Sequence, residues 1–407
     1  FCTANSWIGK KRGVTVTLGE IRRRMGSPEF QTSKMIQRLT RHARTSSTAF
    51  ENKMIVAGFE LEVNPTHPLT TIEMLLEADA VALAADFSKL ISHDLCKWTL
   101  ASIATADEHN AKCVGEMADE IMDHLLCVKR HLLRVGRDPS DSVVNVECPD
   151  SKAVYKFSLE THGFGPLAAV AVIEKLMTMM PMMKTEEGKK KLIQVNRELR
   201  APFNSRPHES CEIDHRLLVT QSNDFDLYDP AVLPRIGYDI EYLKITKGEI
   251  RRRVQGPEKF TPTVLCSYVR KEKVTGSLPN LRKDLHDIGI SFELSNKTKK
   301  GVQSSSWISV SEKESMDLAR ETGSFLMHLP ASKDMKEKVN NHPRSAAWIV
   351  LMASSMERAM TRIGADPKER RVETVTDAHL LKFALITHHF GHTFIASVMA
   401  WLQNVMR

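Results

Sequence analysis

Hydrophobic positions along the chain fall into two regimes, each of which occurs twice. Apolar residues recur at three- and four-residue steps at Ile72, Leu75, Leu76, Leu83, Phe87 and Leu90, and again at Val114, Met117, Ala118, Ile121, Leu125, Val128 and Leu132. The same period returns at Trp348, Met352, Met356, Ala359, Met360 and Ile363, and two denser apolar segments cover 167–180 and 394–406. That spacing stacks side chains on one helical face and predicts amphipathic or buried helices, whose simplest destination is an intramolecular core. Ahead of each helical stretch the chain is polar and broken by Pro, Gly and clustered Arg and Lys. Short helices, loops and a strand or two, such as SFELS at 291–295, are expected there. The predicted fold is mostly α with a few short strands.

The alternation reflects a duplication. GEIRRR stands at 19–24 and again at 248–253, each followed by a Pro-Glu pair, Pro28-Glu29 and Pro257-Glu258. RVGRDP at 134–139 returns as RIGADP at 362–367, and KFSLETHGFG at 156–165 as KFALITHHFG at 382–391. The separations are 229, 228 and 226 residues, and three matches in one order at nearly one offset define a tandem repeat. Between them, GFELEVN at 58–64 faces SFELSN at 291–296, and LEADAVALAADF at 76–87 faces SEKESMDLARET at 311–322. The expected organisation is a first copy over 1–183, a linker over 184–223 and a second copy over 224–407. The linker opens with KTEEGKKK at 184–191 and contains Pro202 and Pro207, with a short helix expected from Lys189 to Arg200. A tether of that length lets two copies lie side by side.

Charge and cysteine usage narrow the chemistry. Lys and Arg number 57 against 50 Asp and Glu in 407 residues, a surplus of +7 that permits an anionic partner without demanding one. Cys2, Cys96, Cys113, Cys127, Cys148, Cys211 and Cys266 are scattered, with no C-x-x-C pair, so neither a disulfide framework nor a cysteine zinc site is expected, and a reducing compartment is. No secretory h-region is visible, and the most apolar stretch, 166–183, is interrupted by Glu174 and Lys175, so a membrane is not expected as a partner. The chain opens on Phe1 and is expected to be a piece of a longer protein. His388, His389 and His392 form H-H-x-x-H, but the first copy has His162, Gly163 and Pro166 there, which argues against a metal. Motifs for phosphate loops, zinc hydrolysis or nucleophile elbows are missing, so neither catalysis nor a cofactor is expected.

Three features suit an anionic partner. The first is the pair of arginine triplets, Arg22-Arg23-Arg24 and Arg251-Arg252-Arg253. Consecutive residues on a helix fan around it, so one or two would reach phosphates or bases while another pairs with Glu20 or Glu249. The second is a basic loop: Arg38, Arg41, His42 and Arg44 in the first copy, Arg270, Lys271 and Lys273 before Gly276 in the second, with Lys297, Lys299 and Lys300 following. Such loops fit a phosphate backbone, although solvated surface charge explains them equally. The third is THGFG at 161–165 and THHFG at 387–391, each opening an apolar helix. There His162 and His388 would lie beside spare helix N–H donors.

These residues resemble one known family. FCTANSW at 1–7, VTVTLGEIRRRMGSPE at 14–29, LLEADAVALAADF at 75–87 and KFSLETHGFG are similar to the DNA-binding and dimerisation region of activator-protein-two transcription factors. The second copy matches through GEIRRRVQGPE, VRKEKVTG at 269–276, LRKDLHDIGI at 281–290, DLARETG at 317–323 and KFALITHHFG. The resemblance implies a nuclear, double-stranded-DNA-binding regulator of GC-rich palindromic sites. It also implies dimerisation through a helix-span-helix region, here the helical second half of each copy, so that one chain would form a pseudo-dimer. Homo- or heterodimers of whole chains remain open. The implied DNA contacts are Arg22, Arg23, Arg24, Arg41, Arg44, His162, Gly163, Arg251, Arg252, Arg253, Arg270, Lys271, Lys273, Lys299, Lys300, His388 and His389. Two departures stand out: VNPTHP at 63–68 replaces the family's basic run in the first copy, and His389 replaces the loop glycine in the second. They leave open a second reading, an interaction protein that pairs with related factors and binds DNA weakly or not at all.

Overall fold

The computed structural model describes residues 2–5, 13–25, 31–33, 35–36, 47–59, 70–72, 75–105, 108–134, 148–202, 227–233, 243–256, 311–364 and 372–407. It also describes Glu258, Phe260, Thr261, Leu265, Lys283, 285–287, Gly289, Trp307 and Val310. Each half opens with a two-stranded antiparallel ladder followed by a short helix. Strand β1 (Cys2–Asn5) pairs with β2 (Gly13–Val16), with Cys2 opposite Val16, and leads into α1 (Leu18–Met25) and then α2 (Ser47–Val56). The strand expected at 291–295 lies outside the described residues.

The rest of the first half is helical: α3 (Glu77–Asp94), α4 (Lys97–Ala104), α5 (Glu108–Glu116), α6 (Ala118–Leu132), α7 (Pro149–Glu160) and α8 (Phe164–Met177). The apolar stripe from Val114 to Leu132 is not one helix, because Met117 leaves helical geometry between α5 and α6 (φ −102°, ψ 10°). Two short helices follow, α9 (Met180–Lys184) and α10 (Glu186–Leu199). A β-carbon on Gly115 would lie 2.5 Å from the Met183 carbonyl, so glycine is what lets α9 approach α5.

The second half repeats the plan. Strands β3 (Leu227–Leu233) and β4 (Leu243–Thr246) precede α11 (Lys247–Gln255), and then come α12 (Glu312–Met327), α13 (Lys333–Asn341), α14 (Pro343–Ile363), α15 (Val375–Ile386) and α16 (Phe390–Val405). Local sequence sets the boundaries. Ser311 and Glu314 make a capping box at α12, Thr374 and Asp377 another at α15, and Pro343 occupies the first turn of α14. α8 packs against α3 and α6, and α16 against α12 and α14, so the two halves share one internal arrangement.

Helices of the two halves also pack on each other. α14 lies against α4 and α6, α13 against α6, and α16 against α8. Phe390 is the hub of the shared core, with ring centroids 4.6 Å from Trp307, 4.9 Å from Phe87, 5.1 Å from Phe394 and 5.3 Å from Phe164. All five of these aromatics are completely inaccessible. Segment 164–184 does reach the length and hydropathy of a membrane span, contrary to the sequence expectation, but 61% of its apolar window is buried in this core.

The region after the first copy is not a free tether throughout. The expected helix runs Glu186–Leu199 and packs on α4, α5 and α15. Arg200 Nη2 donates to the Ser102 and Thr105 carbonyls at 3.0 and 2.7 Å. The Leu199 carbonyl accepts from Thr376 Oγ1 at 3.0 Å, and Pro202 bridges to Thr374. Truncating the hub, Phe390→Ala, is expected to lower unfolding free energy by about 3–5 kcal/mol. Urea denaturation checks this, and an unchanged midpoint would contradict the shared aromatic core.

Candidate nucleic-acid interface

The two arginine triplets sit on α1 and α11, which open alike. Thr17 Oγ1 accepts from the Glu20 N–H at 3.0 Å, and Thr246 Oγ1 from the Glu249 N–H at 3.1 Å. Four-residue spacing then brings each glutamate beside the last arginine of its triplet. Glu20 Oε1 accepts from Arg24 Nε at 3.1 Å and Nη2 at 3.0 Å, and Glu249 Oε1 accepts from Arg253 Nη2 at 3.2 Å. The same oxygens cap the long helices: Glu20 Oε1 accepts the Glu77 N–H at 3.0 Å, and Glu249 Oε1 the Glu312 N–H at 3.1 Å.

The arginines complete the attachment. Arg24 Nη2 donates to the Leu75 carbonyl, and Arg253 Nη2 to that of Val310 at 2.6 Å. Arg23 grips Glu77 two-pronged, Nε and Nη2 donating at 2.8 and 2.6 Å. Arg252 grips Glu312 in the same way at 2.7 and 2.6 Å. Paired parallel bonds of this kind are the strongest geometry available to an arginine and a carboxylate. Burial pushes the Glu312 carboxyl up, but the Arg252 guanidinium, with His389 and Arg253 nearby, outweighs it and holds it well below the usual carboxylate range.

The histidine turns dock on these clasps. In the first copy His162 (φ 50°) and Gly163 (φ 83°) are both left-handed, and in the second His388 (φ 49°) and His389 (φ 69°). Glycine reaches this region without strain, whereas His389 adopts it as a non-glycine residue. Thr161 Oγ1 donates to the Phe157 carbonyl at 2.7 Å and accepts the Gly165 N–H at 3.0 Å. Thr387 repeats this with Phe383 and Gly391 at 2.9 and 3.0 Å. A β-carbon on Gly165 would lie 2.5 Å from the Phe157 ring, and one on Gly391 2.4 Å from Phe383, which accounts for the final glycine of both motifs.

His162 Nε2 lies 3.5 Å from Arg24 Nη1, and His388 Nε2 contacts Arg253 Nη1 and sits 2.8 Å from Glu258 Oε1. Burial, with Arg24 and Arg23 close by, pushes the His162 ring well below its usual range, so it is neutral near pH 7. Burial raises the Glu258 carboxyl, but His388 and Arg253 outweigh it and hold the group below the ordinary value.

This placement revises the expectation for the triplets. Only Arg22 among the six arginines has an exposed side chain, and its guanidinium lies 5.8 Å from the Phe59 ring centroid. Arg23 is half-buried, and Arg24, Arg251, Arg252 and Arg253 are buried. His162, His388 and His389 are each 1% accessible, so neither turn presents a histidine at the surface. The desolvation of Arg24, Arg252 and Arg253 is offset by carboxylates and carbonyls within the chain. Arg41, Arg44, Arg270, Lys271, Lys273, Lys299 and Lys300 lie outside the described residues. The sequence reading missed Glu77, Glu312 and Glu258. The signal was available, since aligning LEAD with SEKE places Glu77 opposite Glu312 and the Pro-Glu pairs flag Glu258.

One sequence family matches both clasp-bearing segments. Its model, described as Transcription factor AP-2, matches residues 4–183 and 234–407. The chain belongs to this family. A similar protein is Transcription factor aptf-4 of Caenorhabditis elegans, 26% identical over 177 residues, which is 40% of this chain and 35% of that relative. The chain thus spans about a third of the curated relative it matches. Both copies of the AP-2 repeat carry the clasp, each within its own matched segment.

Two outcomes follow from this geometry. Arg253→Ala strands Glu249 and Glu258 in the interior and is expected to cost about 3–5 kcal/mol, whereas Arg22→Ala stays within about 0.5 kcal/mol. Equal effects in chemical denaturation would contradict the division of labour. The His162 ring is depressed in the folded state, so the unfolded chain binds more protons. Its stabilising effect is complete above the ordinary histidine pKa of about 6.5 and is lost as pH falls from there towards the folded value. His162→Gln is expected to flatten the stability–pH slope below that pH. A slope identical in both proteins would show that His162 is not held neutral.

Proposed function

We propose that this AP-2 protein is a nuclear, sequence-specific double-stranded-DNA-binding transcription factor whose two copies act as a pseudo-dimer on one GC-rich palindromic site. The observation that supports the reading is the packing of α14 on α4 and α6, together with the contacts of Phe390 with Phe87 and Phe164, because it sets elements of two family-matched segments against each other within a single chain. In this reading 1–183 and 224–407 are the functional copies, and the tether holds them at about millimolar effective concentration. The clasps do not read DNA themselves. They hold α1 and α11 against the long helices, and so fix the origin of the basic segments around Arg41 and Arg44, around Arg270, Lys271 and Lys273, and at Lys299 and Lys300. Those segments and Arg22 supply the cations for phosphates and base edges.

One observation favours a second reading, an interaction protein with weak or no DNA binding: most of the triplet arginines are committed inside the protein. Fluorescence anisotropy with a GC-rich palindromic duplex and a scrambled duplex of equal composition, over a salt series, separates the two. The proposal expects tight binding to the palindrome that persists at physiological salt. Equal, weak binding to both duplexes that salt abolishes would favour the second reading. Within the first reading, Lys299→Gln with Lys300→Gln is expected to weaken binding to every sequence and to reduce the salt slope by about one unit per lost phosphate contact. An unchanged slope would remove these lysines from the interface.

A further inference from the structure

The two copies of the repeat are not interchangeable where they meet. His124 on α6 is completely inaccessible, and its Nε2 lies 3.1 Å from Ser345 Oγ on α14. Ser345 is equally buried and gives its own hydroxyl proton to the His342 carbonyl at 3.0 Å. The imidazole Nε2–H is therefore the donor and Ser345 Oγ its acceptor. One partner of this buried polar pair comes from each copy.

Counting back from RVGRDP at 134–139 and RIGADP at 362–367 gives the equivalent positions. Met352 stands in the second copy where the first has His124, and Met117 stands in the first where the second has Ser345. In both copies the two positions are seven residues apart; Ser345 and Met352 lie two turns apart on α14, and Met117 stands at the N-cap of the helix that carries His124. If two first copies met in this geometry, His124 would face methionine and lose its acceptor. If two second copies met, Ser345 would face methionine. Only the mixed pair gives the buried His124 Nε2–H an acceptor, and an unsatisfied buried donor is costly.

The rim has the same handedness. Lys338 on α13 is 2.9 Å from Asp123 on α6, and the position equivalent to Asp123 in the second copy is Leu351, which is 56% exposed. α4 lies against α14 as α13 lies against α6, but α4 has no cation after Lys97. A pair of second copies would set Lys338 against leucine, and a pair of first copies would leave Asp123 without its lysine.

We infer that the His124–Ser345 pair, supported by Asp123–Lys338, is a specificity determinant that makes each copy's pairing surface fit the other copy and disfavours self-pairing. The inference rests on the pairing of copies set out under Proposed function. It adds that, wherever two chains meet, a first copy selects a second copy as its partner.

The test uses the full chain and hydrogen exchange of the α6 and α14 amides. Ser345→Ala removes the acceptor without adding bulk and reproduces the unmatched state of His124. It is expected to speed exchange in both helices on the order of tenfold to a hundredfold. Ser345→Thr keeps the hydroxyl and should behave as wild type. The double variant His124→Met with Ser345→Ala removes both polar partners and should recover most of the lost protection. No effect of Ser345→Ala, or a double variant no better protected than the single one, would overturn the determinant while leaving the pairing intact. Unprotected α6 and α14 amides in the wild-type chain would instead remove the pairing itself, and this inference with it.

Discussion

A buried glutamate–arginine clasp between a short basic helix and the start of a long helix organises both halves of this protein. In each copy one carboxylate, Glu20 or Glu249, is shared between an arginine and the first backbone N–H of the long helix. A second carboxylate, Glu77 or Glu312, takes the neighbouring arginine two-pronged. The last arginine of each triplet also reaches the histidine turn that starts the final helix. Three segments far apart in sequence are thereby joined at one point. Removing one charge leaves its buried partner uncompensated, which makes the arrangement hard to vary. That constraint explains why GEIRRR is identical in both copies while the helices around it have diverged.

The clasp also changes the meaning of a basic motif. Consecutive arginines in a transcription-factor family invite assignment to DNA, yet most of these guanidiniums are held by carboxylates and carbonyls inside the protein. The shared aromatic core around Phe390 and the α10 helix, with Arg200 holding the end of α4 and Thr376 held by Leu199, join elements of the two copies. Under the proposed function, one chain thus carries both halves of a palindrome reader, and its two pairing faces have become complementary instead of identical.

Much of this architecture was legible in the sequence. The three- and four-residue apolar period gave the helices of both halves, and the GEIRRR, RVGRDP and KFSLETHGFG matches gave the duplication. That one arginine of each triplet pairs with Glu20 or Glu249 was expected from the sequence, and the structure identifies it as Arg24 and Arg253. The partners of Arg23 and Arg252 did not, since Glu77 and Glu312 lie 54 and 60 residues away and period arguments are local. Solvent exposure was likewise hidden, because a run of arginines looks the same whether it faces water or a carboxylate. The break at Met117 escaped because the apolar stripe continues through it, and the approach of α9 to Gly115 is a tertiary contact.

The central claim is that the arginine triplets fasten the basic helices to the long helices. A double-mutant cycle on Arg252→Ala and Glu312→Ala, followed by chemical denaturation, measures that link directly. The account predicts a coupling of about 1–3 kcal/mol, in the range of residues that share one ion-pair network. Purely additive effects, with coupling near zero, would contradict it and return these arginines to the surface.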